Sequence, residues 1–386
     1  MTHKVSQDHG PLHPTALLGL LPALLLLALL LGGCVSAQSW EATRLLEDID
    51  AGARPSDLKA ATPAPGRTTL RYEVEGRPGL ADLYDPRQPI GAALVLVPGF
   101  TREGKNDQRV VNLARSLARA RFLVLVPDVT GSRQFRVRLD DARTIADAVT
   151  YLSRQEAKAA GQDVGVVAIS YAVGLAVLAG LEVEEDLAPD FLVGIGGYYD
   201  SEAIITFATT GKYRPADGGG WRSGKPLDAA KWVFLASNAA VLSDMAERRR
   251  LQEIGERCIR GCDAAAETLA EGLGPEGRAL LDLITNEDPE RVPALLAALP
   301  ETVKRQLERL SLQDRDLSRL TGRLILIHGR LDSMIPYTES QALAAAVPES
   351  EIFVIDGFSH ITPRDVGWIG QLQLIDAALA VLKRRR

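Results

Sequence analysis

Cysteine, histidine and aromatic residues are all scarce in this chain of 386 residues. It has three cysteines and five histidines, and aromatic residues make up 5%. Three cysteines are too few for a disulfide scaffold. Positive charge is not in excess either, because 44 Lys and Arg stand against 50 Asp and Glu and the net charge is −6. A nucleic-acid binder needs a basic face to neutralise phosphates, so we predict no nucleic-acid partner.

The overall composition is that of a globular protein. Hydrophobic residues make up 46% and charged residues 24% of the chain, which excludes collagen-like and wholly disordered classes. The length allows two to three domain-sized units and a sizeable core.

One long apolar run stands near the N-terminus. Residues 16–31 are almost all Leu and Ala, and Gly32-Gly33-Cys34 follows. A short apolar run that ends in small residues is typical of a cleaved secretory signal, with an uncleaved membrane anchor as the alternative. The L-G-G-C sequence also resembles the bacterial lipoprotein box. That resemblance implies a signal peptide over 1–33, a lipid on Cys34 that attaches the protein to a membrane, and, from Val35, an outer-membrane location facing the periplasm.

Removal of that signal would leave His328 and His360 as the remaining histidines and, beside the acylated cysteine, Cys258 and Cys262 as the remaining thiols. No zinc-type cluster of His and Cys can be assembled from them, and we predict no metal and no cofactor. An oxidising compartment favours a disulfide between the two thiols. A regular helix argues the other way, because it would hold side chains four apart at roughly 5–6 Å, wider than a relaxed bridge.

Buried strands alternate with helical segments from residue 67 onward. Continuous apolar runs without polar interruption predict strands that are covered on both faces, and helical spacing between them predicts a mostly parallel α/β sheet. The runs are Ala92–Val97, Phe122–Val126, Val164–Ile169 and Phe191–Ile195.

The strand signals stop within the chain and then resume. Residues 201–318 contain only helical patterns, including one predicted helix over Asp228–Arg250, and apolar strands return after them. We therefore predict a tether and linker over 34–66, an α/β core built from 67–200 and 319–386, and a helical cap over 201–318. An insertion that large is usually functional.

Ser170 lies where an apolar strand turns into a helix, in the sequence A-I-S-Y-A. Small residues two before and two after a serine allow the sharp turn that exposes its hydroxyl, and the following helix N-terminus offers amides to an oxyanion. The pattern by itself also fits a core serine that caps a helix. The position of Ser170 after the third parallel strand favours a nucleophile.

Two more strand ends carry an acid and an imidazole. Asp332 follows an apolar strand in H-G-R-L-D, and His360 follows the next strand in D-G-F-S-H. The order Ser, acid, His, each after a strand, resembles the α/β-hydrolase superfamily, in particular its esterases, peptidases and dienelactone-hydrolase-like members with a helical lid. The resemblance covers residues 67–386 and implies an α/β-hydrolase fold.

The same resemblance implies the roles of individual residues. Ser170 would be the nucleophile, His360 its base and Asp332 the group that orients the imidazole. The oxyanion hole would come from the amides of Tyr171 and Phe100. Other residues compete for two of these roles: His328 as the base, and Asp356 and Asp200 as the acid.

The activity expected from this resemblance is that of a serine hydrolase acting on carboxylic esters, with amides and thioesters as further candidates. Apolar positions recur along the predicted cap, so we expect the cap to form the acyl pocket and the substrates to be small to medium apolar esters. Two alternatives remain open. One is an inactive binding module on the same fold. The other is a nucleotide-binding loop at Gly99–Lys105, which fits G-x-x-x-x-G-K but is followed by Asn106 instead of Ser or Thr.

Overall fold

The computed structural model describes residues 37–154, 161–215, 217–262, 264–320, 323–360 and 366–385. The predicted signal peptide and the lipidation site Cys34 lie outside the described residues.

A mostly parallel sheet of eight strands forms the centre of the protein, in the order β1-β2-β4-β3-β5-β6-β9-β10. Strand β2 is antiparallel to both of its neighbours, and all the other neighbouring pairs are parallel. Strands β7 and β8 form a separate hairpin. The strands are β1 Gly66–Val74, β2 Arg77–Asp85, β3 Ala92–Val97, β4 Phe122–Pro127, β5 Val164–Ile169, β6 Phe191–Ile195, β7 Lys212–Tyr213, β8 Arg222–Ser223, β9 Arg323–Gly329 and β10 Glu351–Ile355.

Helices cover the sheet and build the insertion. They are α1 37–51, α2 Asp57–Ala61, α3 Gln108–Arg119, α4 Thr130–Gln134, α5 Leu139–Leu152, α6 Ala172–Glu182, α7 Ser201–Thr210, α8 Ala229–Ala239, α9 Met245–Ile259, α10 Ala264–Glu271, α11 Pro275–Ile284, α12 Val292–Ala297, α13 Glu301–Leu310, α14 Tyr337–Ala346 and α15 Trp368–Leu382. Among the described residues, no helix is both long enough and apolar enough to cross a bilayer.

The central strands are buried on both faces, which explains their unbroken apolar sequences. In β3, Leu94 and Leu96 point to the face covered by α1, α3 and α15. Val95 and Val97 point to the opposite face, covered by α5, α6 and α14. Both faces are apolar because successive side chains of a strand alternate between them. The predicted architecture, a mostly parallel sheet with helices on both faces, is confirmed.

The segment before β1, interpreted from the sequence as a tether and linker, is folded from residue 37 onward. Helix α1 buries Ala42 and Leu45 against the sheet. Its buried Asp48 accepts hydrogen bonds from Ser116 of α3 at 2.6 Å and from Lys59 of α2 at 2.5 Å. A buried carboxylate is stable only with such partners, so Asp48 joins both short helices to the core.

The N-terminal end of α1 lies at one edge of the sheet. Glu41 pairs with Arg385 at 2.6 Å, and the same guanidinium donates to the carbonyl of Ala120 at 2.7 Å. Ala120 lies two residues before the start of β4, so this is the edge at which the parallel strands begin.

Helices α7 to α13 form the insertion and have a hydrophobic core of their own. The single helix predicted over Asp228–Arg250 is wrong: α8 ends at Ala239 and α9 starts at Met245. The break occurs because the Asp244 side chain accepts from two amides of the first turn of α9 and so caps a new helix. Where the chain enters the insertion, the amides of Tyr199 and Asp200 donate to the buried Glu339 of α14 at 3.0 and 2.8 Å.

Candidate active site

Ser170 sits in a sharp turn between β5 and α6. Its φ of 60° is in the left-handed region, which is unusual for a residue with a side chain. The turn is held because the Ser170 amide donates to the carbonyl of Ile195 in β6 at 2.7 Å and its carbonyl accepts from Val173 at 3.0 Å. This backbone strain is typical of a functional serine, because a core serine that only caps a helix does not require it.

The three predicted catalytic residues meet at the carboxyl edge of the sheet. Nε2 of His360 lies 2.7 Å from the Ser170 hydroxyl, and Nδ1 of His360 lies 2.6 Å from Oδ2 of Asp332. A carboxylate can only accept, so Nδ1 carries the proton and Nε2 is left to accept from the serine. The ring has room because Gly196 lies beside it: a Cβ on Gly196 would stand 3.3 Å from the imidazole.

Asp332 is buried and surrounded by donors. Its Oδ1 accepts from the amides of Met334 at 2.7 Å and Ile335 at 2.9 Å. Burial raises the pKa of this carboxyl, but the hydrogen bonds and charges of His328 and His360 lower it by more, and the net pKa lies well below its usual value. The group therefore remains an anion that can orient His360 and stabilise its protonated form.

His328, the competing base, is fully buried and both of its ring nitrogens are occupied. Nδ1 lies 2.7 Å from the Ser340 hydroxyl. Nε2 lies 3.0 Å from the carbonyl of Ile335 and 3.1 Å from Asp332. A carbonyl cannot donate, so Nε2 carries a proton and cannot take one from Ser170. The geometry favours His360 as the base.

The two competing acids serve other purposes in the structure. Asp356 pairs with Arg330 at 2.5 Å. Asp200 caps α7 by accepting from the amide of Glu202 at 3.0 Å.

The two predicted oxyanion donors lie on neighbouring loops. The rings of Phe100 and Tyr171 stack with their centroids 3.9 Å apart. In the described part of the chain, neither backbone amide donates to a protein acceptor. Two free amides beside an activated serine are what an oxyanion hole requires.

Ser132 was not found from the sequence, although it holds the loop that carries Phe100. Its hydroxyl donates to the carbonyl of Gly99 at 2.6 Å, and its own carbonyl accepts from the amide of Thr101 at 3.2 Å. Phe100 is thus fixed on both sides by one buried residue of α4. The sequence offers no signal for this contact, because Ser132 is separated from Gly99 by 33 positions.

Lys105 does not fit the nucleotide-binding alternative. It is buried, and its ammonium lies 2.8 Å from Asp82 in β2. The lysine therefore neutralises a buried carboxylate and is not available to a phosphate. Gly99, at the start of the same pattern, faces the nucleophile, since a Cβ there would lie 3.3 Å from that of Ser170. This loop belongs to the Ser170 site.

A cavity of about 150 Å³ opens beside Ser170, between the core and the insertion. Its core wall includes Tyr171 and Met334, and its cap wall includes Ile204, Phe234 and Leu307. The lining is mainly apolar. Ser170 itself is among the residues that line this space.

The structure places Cys258 and Cys262 as a disulfide pair with Cα atoms 4.0 Å apart. Regular helical spacing does not apply to them, because α9 ends at Ile259 and the chain turns at Gly261, whose φ is 104°. Among the residues that the structure describes, no group of three or more His, Cys, Asp or Glu is arranged to hold a metal ion.

Comparisons with known proteins find structural likeness at low identity. Est1E from Butyrivibrio proteoclasticus is 13% identical with a TM-score of 0.42, over 82% of this chain and 98% of that one. The carboxylesterase EstE1 from a metagenomic library is 14% identical with a TM-score of 0.45, over 85% and 93%. An acylaminoacyl peptidase of Pyrococcus horikoshii is 12% identical with a TM-score of 0.42, over 78% and 38%.

No protein-family model matches the chain, and no curated protein sequence matches it. The geometry of the site is therefore the main indication of function.

Proposed function

We propose that this protein is a serine hydrolase that cleaves carboxylic esters through an acyl-enzyme on Ser170. The observation that carries the proposal is the unbroken chain of hydrogen bonds from Ser170 through His360 to Asp332. A serine hydroxyl is a weak nucleophile by itself, and a base oriented by a third group is the usual way to activate it.

The residues divide the reaction between them. His360 takes the hydroxyl proton as the Ser170 oxygen bonds to the ester carbonyl carbon, and the amides of Phe100 and Tyr171 stabilise the resulting oxyanion. The carbonyl re-forms as the bond to the alcohol breaks, and His360 gives its proton to the leaving oxygen. Water then attacks the acyl-enzyme with His360 again as base, which releases the acid and restores Ser170. Asp332 stays ionised throughout and stabilises the imidazolium.

The cavity supports small to medium acyl groups. Its volume is about 150 Å³, which is the size of an engineered protein cavity that holds a benzene molecule. Because most of the lining comes from cap helices, the insertion would select the acyl chain and exclude water from the site. Small, mainly apolar esters are therefore the proposed substrates.

A fluorophosphonate probe and a panel of 4-nitrophenyl esters, from acetate to octanoate, test this proposal. The probe should label Ser170 in the wild-type protein and not in Ser170→Ala, and hydrolysis should be fastest at a short to medium chain. Aminoacyl amides in the same panel distinguish an esterase from a peptidase. No labelling and no turnover of any substrate would favour the inactive binding module.

We also propose that the protein is a lipoprotein, anchored through Cys34 in the outer membrane of a bacterium and facing the periplasm. The support is the apolar run that ends in L-G-G-C. Mass spectrometry of the native N-terminus tests it: the proposal predicts a mature chain that begins at an acylated Cys34. An unmodified chain that starts near Met1 would overturn it.

A further inference from the structure

One corner of the cavity is polar although the rest of its lining is mainly apolar. Ser237 and Asn238 stand on consecutive positions of α8, and Gln306 of α13 donates to the Asn238 side chain at 3.2 Å. These three side chains, here called the polar corner, belong to the cap wall. Ser170 stands on the core wall of the same cavity.

Three other polar side chains in the lining, those of Thr209, Ser201 and Lys231, already have partners. The hydroxyl of Thr209 donates to the carbonyl of Ile205 at 2.9 Å, and that of Ser201 donates to Leu307 at 3.2 Å. The ammonium of Lys231 lies 3.0 Å from Asp228. None of these three groups needs a ligand.

The polar corner, by contrast, keeps unused hydrogen-bonding capacity. The Asn238 amide nitrogen donates to the carbonyl of Phe234 at 2.9 Å, and the Ser237 oxygen accepts from the amide of Val137 at 3.3 Å. Several groups of the polar corner have no hydrogen-bond partner within the described part of the chain. They are the second N–H of Asn238, the second N–H and the oxygen of the Gln306 side chain, and the hydroxyl hydrogen of Ser237. Asn238 is only 4% exposed. Buried polar groups of this kind normally find partners.

We propose that the polar corner binds a neutral hydrogen-bonding group, a carbonyl or a hydroxyl, carried by the acyl part of the substrate away from the ester. The proposal rests on the proposed ester hydrolysis at Ser170 and narrows its substrates. A purely apolar acyl group would leave the N–H and O–H donors of the polar corner without partners. A carbonyl oxygen on the acyl group would accept a hydrogen bond from them. A carboxylate does not fit, because Lys231 is already paired with Asp228 and an anion buried in the corner would lack a counterion.

Paired substrates test this inference in the full-length protein. The 4-nitrophenyl esters of hexanoic acid and of 5-oxohexanoic acid differ by one ketone, and each enzymatic rate is corrected for spontaneous hydrolysis. We expect kcat/KM of the wild-type protein to be about 5-fold to 10-fold higher for the keto ester, the effect of one gained hydrogen bond. In Gln306→Met and Asn238→Leu the ratio should fall to about one.

Thr209→Val is the matched control, because it removes a hydroxyl from the same cavity wall that is already bonded within its own helix. It should keep the wild-type ratio. Gln306 is only partly buried, so Gln306→Met tests the corner even if Asn238→Leu fails to fold. A wild-type ratio near one, or a ratio that both corner variants leave unchanged, would overturn the inference while ester hydrolysis stands. No hydrolysis of either ester would instead count against the proposed function.

Discussion

The hydroxyl of Ser132 helps to hold the loop that carries Phe100, one of the two proposed oxyanion donors, and Ser132→Ala removes that hydroxyl alone. The backbone contact from Thr101 to the carbonyl of residue 132 does not depend on the side chain and should persist. The carbonyl of Gly99, a partly buried residue, loses its 2.6 Å donor, so the loop is loosened on one side of Phe100 and kept on the other.

The expected effect follows from that partial loss. A backbone acceptor left without a partner costs roughly 1–3 kcal/mol when it is fully buried, and a partly buried acceptor costs less. Loss of an oxyanion donor outright lowers kcat by roughly 10²–10³-fold. Because the amide of Phe100 remains and only its support is weakened, we expect a fall in kcat of about 10-fold, which corresponds to ~1.4 kcal/mol. KM should change little, since the hole acts mainly on the transition state.

The assay compares a 4-nitrophenyl ester with its thionoester, whose sulfur is a weak hydrogen-bond acceptor. Weakening the hole should slow the oxygen ester more than the thionoester, so their rate ratio should shrink in Ser132→Ala and recover in Ser132→Thr. Ser116→Ala is the control, because it also removes a buried serine hydroxyl, one bonded to Asp48 far from the site. If Ser132→Ala folds and its rate ratio equals that of the wild-type protein, Ser132 does not position the hole.

Three further outcomes are expected. Nearly all hydrolysis should be lost in each of Ser170→Ala, His360→Ala and Asp332→Asn. Steady-state kinetics should show that double variants are scarcely slower than the worse of the two single variants. Probe labelling that survives in His360→Ala and is lost in His328→Ala would assign the base to His328. Burial raises the pKa of Glu339 from 4.5 to about 7, so the folded state holds a proton that the unfolded state releases, and folding stability falls as pH rises through that interval. Glu339→Gln should therefore raise the free energy of unfolding by up to about 3 kcal/mol at a pH above the higher pKa, and should leave it unchanged at a pH below the lower one. Urea unfolding at the two pH values measures this, and an equal gain at both would contradict the prediction. Alkylation of the denatured, unreduced protein should find Cys258 and Cys262 blocked, and two free thiols would disprove the bridge.

The central strands could be predicted closely from the sequence. The apolar runs at Ala92–Val97, Val164–Ile169 and Phe191–Ile195 coincide with β3, β5 and β6. Their identity is clear because a strand covered on both faces must be apolar at every position. The candidate site residues could be located because parallel strands end at one edge of the sheet and Ser170 and His360 each follow such an end. Their roles were implied by the resemblance to the α/β-hydrolase superfamily.

Contacts between segments that are distant in the sequence could not be predicted. Ser132 and Gly99 are 33 positions apart, and Asn238 and Gln306 are 68 apart. No periodicity or short motif connects such pairs, because each member is an ordinary polar residue within its own segment. The break between α8 and α9 was missed for a local reason, since Asp244 lies within a pattern that is otherwise helical.

The start of α1 and Ser170 lie at opposite edges of the central sheet. The start of α1 lies where the strands begin, beside Ala120, whereas Ser170 lies where they end. A strand of six residues spans about 20 Å, so the sheet separates the two by its whole height. If the protein is attached through Cys34 as proposed, the chain would enter α1 at the edge of the sheet opposite Ser170. In that orientation Ser170 would face away from the membrane, and esters dissolved in the surrounding water would reach it more readily than lipids of that membrane.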